Sequence, residues 1–362
     1  MIQEKRDNTF MKTAKKNSKF ILFLLASVLI ATGFVLVLSF GSIFPDTRET
    51  DTYGHLFKIN FLYNSIKDGN FYPIYTPYWY NSIELFRYWP PLSYYVVAFL
   101  QFITNGDVIW AFYLFVGVTY VINMCGWYLF GVSENRLGVA FVVGNLFYFC
   151  PDNIRILMAE GNIPRIFIGV LVPYAFYFVW RILEYREYQK LIWLSVITVL
   201  ITFTHFMIAA MLGISIFLFS VLYGISHKIW REVAYITIDL GLAYIMAGIA
   251  LLPGITGGGL TSQSSEASIA TVSVWAQEAI KSLNPFFRFG LSRSSFYFGI
   301  VIFIVCCIGL FLANSKTGPG FWTTILIFVC TTEAVSEIIK LIPLSQVLWM
   351  QRFVPMAMCT FS

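Results

Sequence analysis

Charge is what this chain of 362 residues has least of: only 12% of its residues are Asp, Glu, Lys or Arg, against about a quarter in soluble domains. With 58% hydrophobic residues and a mean hydropathy of +0.72, that scarcity excludes an ordinary soluble globular fold. Histidine is rarer still, with three residues. The six cysteines lie in or beside apolar runs without metal-type spacing, so they read as packing residues. The alternation of a membrane β-barrel is missing, and no internal repeat of the transporter kind stands out. What remains is a series of apolar runs, many near the roughly 20 residues that a helix needs to cross about 30 Å of hydrocarbon. The sequence therefore predicts an all-α polytopic membrane protein of about nine to eleven transmembrane helices.

The net charge of +5 is distributed as short basic blocks between apolar runs. That is how cytoplasmic loops look, and it argues for topology and against nucleic acid. Residues 1–19 form a basic segment that runs directly into the first apolar stretch, residues 20–43. This stretch is too long for a signal-peptide core of about 7 to 15 residues, so it reads as a retained anchor with the N-terminus in the cytoplasm. Further spans are predicted near 91–104, 108–130, 137–150, 164–183, 191–222, 233–252, 296–312 and 321–331. The run 191–222 exceeds one span, and Thr204-His205 suggests two short helices meeting at the outer face. If all candidates cross, the loop after Asp46 and the loop 254–292 fall on opposite sides. Either the short run 91–104 fails to cross or 191–222 is one bent helix. Residues 20–362 make a single transmembrane domain, and the ending at Ser362, inside an apolar run, reads as a truncation of a longer protein.

Chemistry has few places to be in such a chain, and the richest is the first outer loop, residues 44–90. It opens F-P-D-T-R-E-T-D-T-Y-G-H. Leu56, Ile59, Leu62 and Ile66 recur at helical spacing and Gly69 closes the pattern, which predicts an amphipathic surface helix begun near Thr50 or Asp51. Asp51 is then a plain N-cap, or else a general base. Asp46, Glu49, Asp51 and His55 bring three acids and an imidazole into a short stretch, able to deprotonate a hydroxyl or to form part of a divalent-metal site. About a dozen aromatics follow, suited to an interfacial belt or to a platform for a sugar ring or isoprenoid tail. Pro90-Pro91 ends the loop ahead of the next span. Arg87, just before it, reads as an interfacial snorkelling residue or a phosphate ligand. A second polar stretch, residues 151–165, carries Asp152, Arg155, Glu160 and Arg165 between two spans. His205, within an apolar run, reads as a packed histidine at a helix junction.

These motifs support a resemblance. D-T-Y-G-H-L-F at 51–57, G-N-F-Y-P at 69–73 and P-P-L at 90–92 resemble the membrane-embedded GT-C glycosyltransferases. The similarity is greatest to their YfhO-like members, including the 6-pyruvoyl-tetrahydropterin synthase-related membrane proteins. A-E-G-N-I-P-R at 159–165 and L-W-M-Q-R-F at 348–353 are similar to later segments of that group. The resemblance implies transfer of a sugar from a polyprenyl-phosphate carrier, at the outer face of the cytoplasmic membrane. Asp51, with Asp46 second, would be the catalytic base. His55, Glu84, Arg87, Glu160, Arg165 and Arg352 would bind substrate, the arginines at the departing phosphate. A divalent metal is compatible with the acidic loop but not required by it. The rival readings are a transporter or flippase of a lipid-linked saccharide and a non-catalytic membrane scaffold.

Overall fold

The computed structural model describes residues 2–44, 51–79, 82–248, 311–330 and 354–361, together with 252, 304, 308 and 309. Asp46, Glu49, Arg352 and the loop 254–292 lie outside the described residues, as does most of the predicted span 296–312.

The described chain is helical almost throughout. Helix α1 (Ile2–Phe40) contains the first apolar run as its second half. The segment after α1 folds into α2 (Thr52–Lys67), a minimal hairpin β1 (Tyr75–Thr76) and β2 (Ile83–Glu84), and a single turn α3 (Leu85–Tyr88). Then come α4 (Leu92–Ile103), α5 (Val108–Ser133), α6 (Leu137–Tyr148) and α7 (Pro151–Arg155). A π-helical turn (Ile156–Glu160) leads into α8 (Ile163–Tyr185). The series continues with α9 (Lys190–Thr202), α10 (Phe206–His227), α11 (Trp230–Met246), α12 (Gly318–Cys330) and α13 (Val354–Phe361).

Among the described residues, four helices are long and apolar enough to cross a membrane: the segment Ser18–Phe40, α5, α8 and α10. Leu137–Tyr148 and Pro151–Met158, bent by 41°, supply a fifth if they form one broken span. Two further apolar runs fold, among the described residues, as shorter helices, Leu92–Ile103 and Lys190–Thr202. The run 91–104 becomes α4, whose 12 residues reach about 18 Å at 1.5 Å per residue, well short of the hydrocarbon thickness. The run 191–222 divides into α9 and α10 around Phe203–His205.

Helix α8 is the most enclosed of the four long helices and is the post around which α4, α5, α9, α10 and α11 gather. Its first turn is prepared by sequence: Asn162 accepts the Arg165 amide at 3.2 Å, and Pro164 sits where a missing N–H costs nothing. A backbone bond joins the head of α4 to the break between α9 and α10. The Leu92 amide at the head of α4, left without an intrahelical acceptor, donates to the Phe203 carbonyl at 3.1 Å. Cys150 and Cys359 are buried and free, consistent with packing roles.

Helix α2 differs from the sequence expectation in one respect. Its buried residues Thr52, His55, Lys58, Ile59, Leu62 and Tyr63 form one stripe, and the helix packs against α4 and α5. The apolar face is covered by the protein's own helices, with no need of lipid. Asp68 ends it, and Gly69 follows at φ +83°, the left-handed conformation that favours glycine at a helix end.

Candidate functional site

The N-terminal half of α2 carries the site. Asp51, His55 and Lys58 are spaced four and three apart, which places them along one side of a helix. Asp51 occupies the N-cap position, is exposed, and makes no side-chain hydrogen bond to the helix. The reading of Asp51 as a plain cap therefore lacks its defining bond: the carboxylate is not engaged with the helix amides. Asp107 shows the contrast, since its Oδ1 accepts from the amides of Ile109 and Trp110 at 2.9 and 3.0 Å.

One turn on, His55 is buried, and its Nδ1 lies 2.9 Å from the Tyr94 hydroxyl on α4. Its Nε2 has no hydrogen-bond partner among the described residues. Burial, then the Lys58 ammonium, then His205 hold the imidazole well below its ordinary pKa. His205 thus belongs to this neighbourhood electrostatically, although its sequence context suggests simple packing.

Lys58 was not singled out by sequence, yet it is nearly as buried as any residue in the helix, at 4% exposure. Its ammonium rests on three rings, with Nζ 4.2 Å from the Trp89 centroid, 5.0 Å from Trp79 and 5.7 Å from Tyr94. Ring faces return part of the hydration that burial removes. Burial lowers the Lys58 pKa to about 8, with Asp51 pulling the other way. Trp79 reaches this position because Gly54 leaves room: a Cβ there would stand 3.0 Å from Trp79 Cη2. Trp79 and Trp89 are stacked, 6.1 Å apart at 20°.

The second polar stretch forms a chain of charges. Arg155 holds Asp152 Oδ1 through Nη2 at 2.7 Å and Glu160 Oε1 through Nη1 at 2.5 Å, and Arg165 closes on the other Glu160 oxygen. Arg155 and Glu160 are five residues apart, and the wider π-helical turn between them favours that pairing; Gly161, at φ +58°, ends the turn. Burial pushes the Glu160 carboxyl up, and the Arg165 and Arg155 guanidiniums more than reverse it, leaving it below the usual range. Arg165 is buried, and its Nη2 has no hydrogen-bond partner among the described residues. The hydroxyl of Thr52 donates to the Glu160 carbonyl at 3.3 Å, so the head of α2 and the guanidinium chain are directly joined. Beside the π-helical turn, Tyr148, Ile156, Leu157, Ile166 and Val170 line an apolar pocket.

Of the residues proposed from sequence, Asp51 and His55 share the start of α2 with Thr52, whose hydroxyl bonds the Glu160 main-chain carbonyl, and the Glu160 carboxylate pairs with Arg165. Glu84 and Arg87 pair with each other at 2.5 Å, and Glu84 also accepts from Tyr75 at 3.0 Å. The Arg87 and Tyr75 bonds hold the Glu84 carboxyl below its usual pKa. Those two are occupied in tying the hairpin to α3. Asp46 and Arg352 lie outside the described residues. Among the described residues, no three His, Cys, Asp or Glu side chains gather as a metal site would need; the sequence cluster depends on Asp46 and Glu49. Sequence reasoning missed Lys58, which the stripe from Asp51 could have shown. It also missed Tyr94, whose place requires the packing of α2 on α4.

Helices long and apolar enough to cross a membrane, with polar and charged groups paired between them, describe a polytopic all-α membrane protein. Residues 86–361 match the family described as 6-pyruvoyl-tetrahydropterin synthase related domain; membrane protein, and the chain belongs to it. The match begins after α2, so the Asp51 stripe precedes it. No curated protein matches the chain.

Proposed function

We propose that this protein is an outer-face glycosyltransferase of GT-C type, passing a sugar from a polyprenyl-phosphate carrier to an acceptor hydroxyl at the plasma membrane. The observation that carries the reading is the unengaged Asp51 carboxylate at the head of α2, one hydrogen bond away from a buried guanidinium chain. A base must be accessible and not consumed by the fold, and Asp51 meets both conditions. In the reaction, Asp51 takes the acceptor hydroxyl proton as the oxygen attacks the anomeric carbon. The bond from that carbon to the carrier phosphate breaks, and the phosphate leaves with the electron pair. Arg165, whose Nη2 is buried and has no hydrogen-bond partner among the described residues, would stabilise that charge. Asp46 is the alternative base and Arg352 a further phosphate ligand. Glu84 and Arg87, paired with each other, serve the outer loop's shape in preference to substrate.

The test is sugar transfer from a polyprenyl-phosphate donor in proteoliposomes. Asp51→Asn should abolish transfer while insertion and folding are retained. Undiminished transfer by that variant removes Asp51 from the chemistry. Movement of the lipid-linked saccharide across the bilayer without transfer would favour the flippase.

A further inference from the structure

Two buried polar groups, His55 and Lys58, lie where α2 packs on α4, and the fold itself leaves them incompletely served. His55 Nε2 has no hydrogen-bond partner among the described residues, and the Lys58 ammonium rests on ring faces. Unmet buried polar groups are costly and uncommon, so their arrangement calls for an explanation.

The His55 and Tyr94 pair decides the tautomer. Tyr94 is fully buried, and the partner of its hydroxyl is His55 Nδ1. Were Nδ1–H the donor, the tyrosine hydrogen and the Nε2 lone pair would both be left buried and unmet. With the hydroxyl donating, Nε2–H and the phenol oxygen's acceptor capacity are unmet. A phenol is a better donor than acceptor and an imidazole nitrogen a good acceptor, so the second arrangement is favoured, and it makes His55 a neutral donor through Nε2. The ring of the same Tyr94 also lies under Lys58, 5.7 Å from Nζ. One aromatic side chain therefore holds the imidazole by its oxygen and the ammonium by its face.

We propose that Lys58 is a positioning residue of the site: its caged ammonium keeps His55 a neutral Nε2–H donor and faces Asp51 as a counter-charge. It acts on substrate only through those two side chains, and the proposal rests on the glycosyltransferase reading for the reaction that they serve. The charged and titratable groups around His55 are Asp51 and Lys58 on its own helix, Tyr94 on α4 and His205 ahead of α10. Burial first, then Lys58 and His205, oppose a positive charge on the imidazole. The three rings prevent Lys58 from swinging out to water, so its field at His55 is fixed in place.

The experiment is nitrogen NMR of the full chain, labelled at its three histidines, in lipid nanodiscs. Signals are assigned with His205→Gln and His227→Gln. In the unsubstituted protein, His55 should be the neutral Nε2–H tautomer at pH 7 and remain neutral at pH 5. In Lys58→Met its titration midpoint should rise by about one pH unit or more, the size expected when a neighbouring like charge is removed. Lys58→Arg, which keeps the charge, should restore the original midpoint, a rescue that mere packing would not produce. An imidazolium or an Nδ1–H tautomer at pH 7 in the unsubstituted protein overturns the proposal, and this holds even if Lys58→Met fails to fold. An unmoved midpoint in folded Lys58→Met overturns it equally. Since the readout needs no substrate, the expected shifts in a protein that transfers no sugar would leave the Lys58 assignment standing and remove the glycosyltransferase reading.

Discussion

Thr52 donates its hydroxyl to the main-chain carbonyl of Glu160, 3.3 Å away and 108 residues further along the chain. This contact ties the first turn of α2 to the end of the π-helical turn, and with it two polar stretches that lie far apart in the sequence. A carboxylate at the head of the helix and a guanidinium chain below it can act on one substrate only if their separation is fixed. Thr52→Val keeps the shape and removes the donor. It should lower stability by about 1 kcal/mol, the usual net worth of such a bond, and reduce sugar transfer more than that loss accounts for. Thermal unfolding and transfer, measured on the same preparation, check both parts.

Asp51 and Asp107 stand at the heads of α2 and α5, but only Asp107 has a side-chain bond to the helix. Asp107→Ala should therefore cost about 1 kcal/mol of stability, as losses of a true cap do. Asp51→Asn should change stability by less than about 0.5 kcal/mol, as for an ordinary surface substitution. A fall in unfolding temperature as large in Asp51→Asn as in Asp107→Ala would return Asp51 to the role of a structural cap.

Much of this fold is legible in the sequence because lipid and protein interior make the same demand. Apolar runs became helices, Gly69 closed α2 and Pro90-Pro91 preceded α4, since these residues restrict the backbone wherever they stand. The length of individual helices was less legible. Hydropathy reports that residues 91–104 avoid water, and α4 avoids it by packing on α2, α5 and α8 without the length to cross. Within the site, the acids and arginines were visible as polar interruptions. Lys58 was not, because a lysine on an amphipathic helix normally faces water, and only the positions of Trp79, Trp89 and Tyr94 explain why this one does not.

Glu160 sits between two guanidiniums, and its removal is informative. Glu160→Gln keeps the volume and leaves Arg155 and Arg165 buried against each other with less negative charge to offset them. Breaking a buried pair in this way costs about 3 to 5 kcal/mol, so the variant should be poorly folded or unfold at much lower temperature. Exchanging Glu160 and Arg165 for Gln and Met together removes one charge of each sign. The double variant should be more stable than Glu160→Gln alone, and equal or greater loss in the double variant would show that Arg165 is not the partner that matters.

Lys58 also predicts how stability depends on pH. Its pKa in the folded protein, about 8, lies below the unfolded value of about 10.4, so the unfolded chain binds this proton more tightly. The folded state consequently bears the full cost of a buried ammonium below pH 8. That cost is relieved as pH rises toward 10.4. Lys58→Met keeps an apolar stem among the same rings and carries no charge to desolvate. It should stabilise the protein by about 3 kcal/mol at pH 7, with the advantage over the unsubstituted chain shrinking steadily between pH 8 and 10. Thermal unfolding of both proteins across that range provides the measurement. A constant difference between them would mean that Lys58 is charged to the same extent folded and unfolded, and that the rings fully replace water around it.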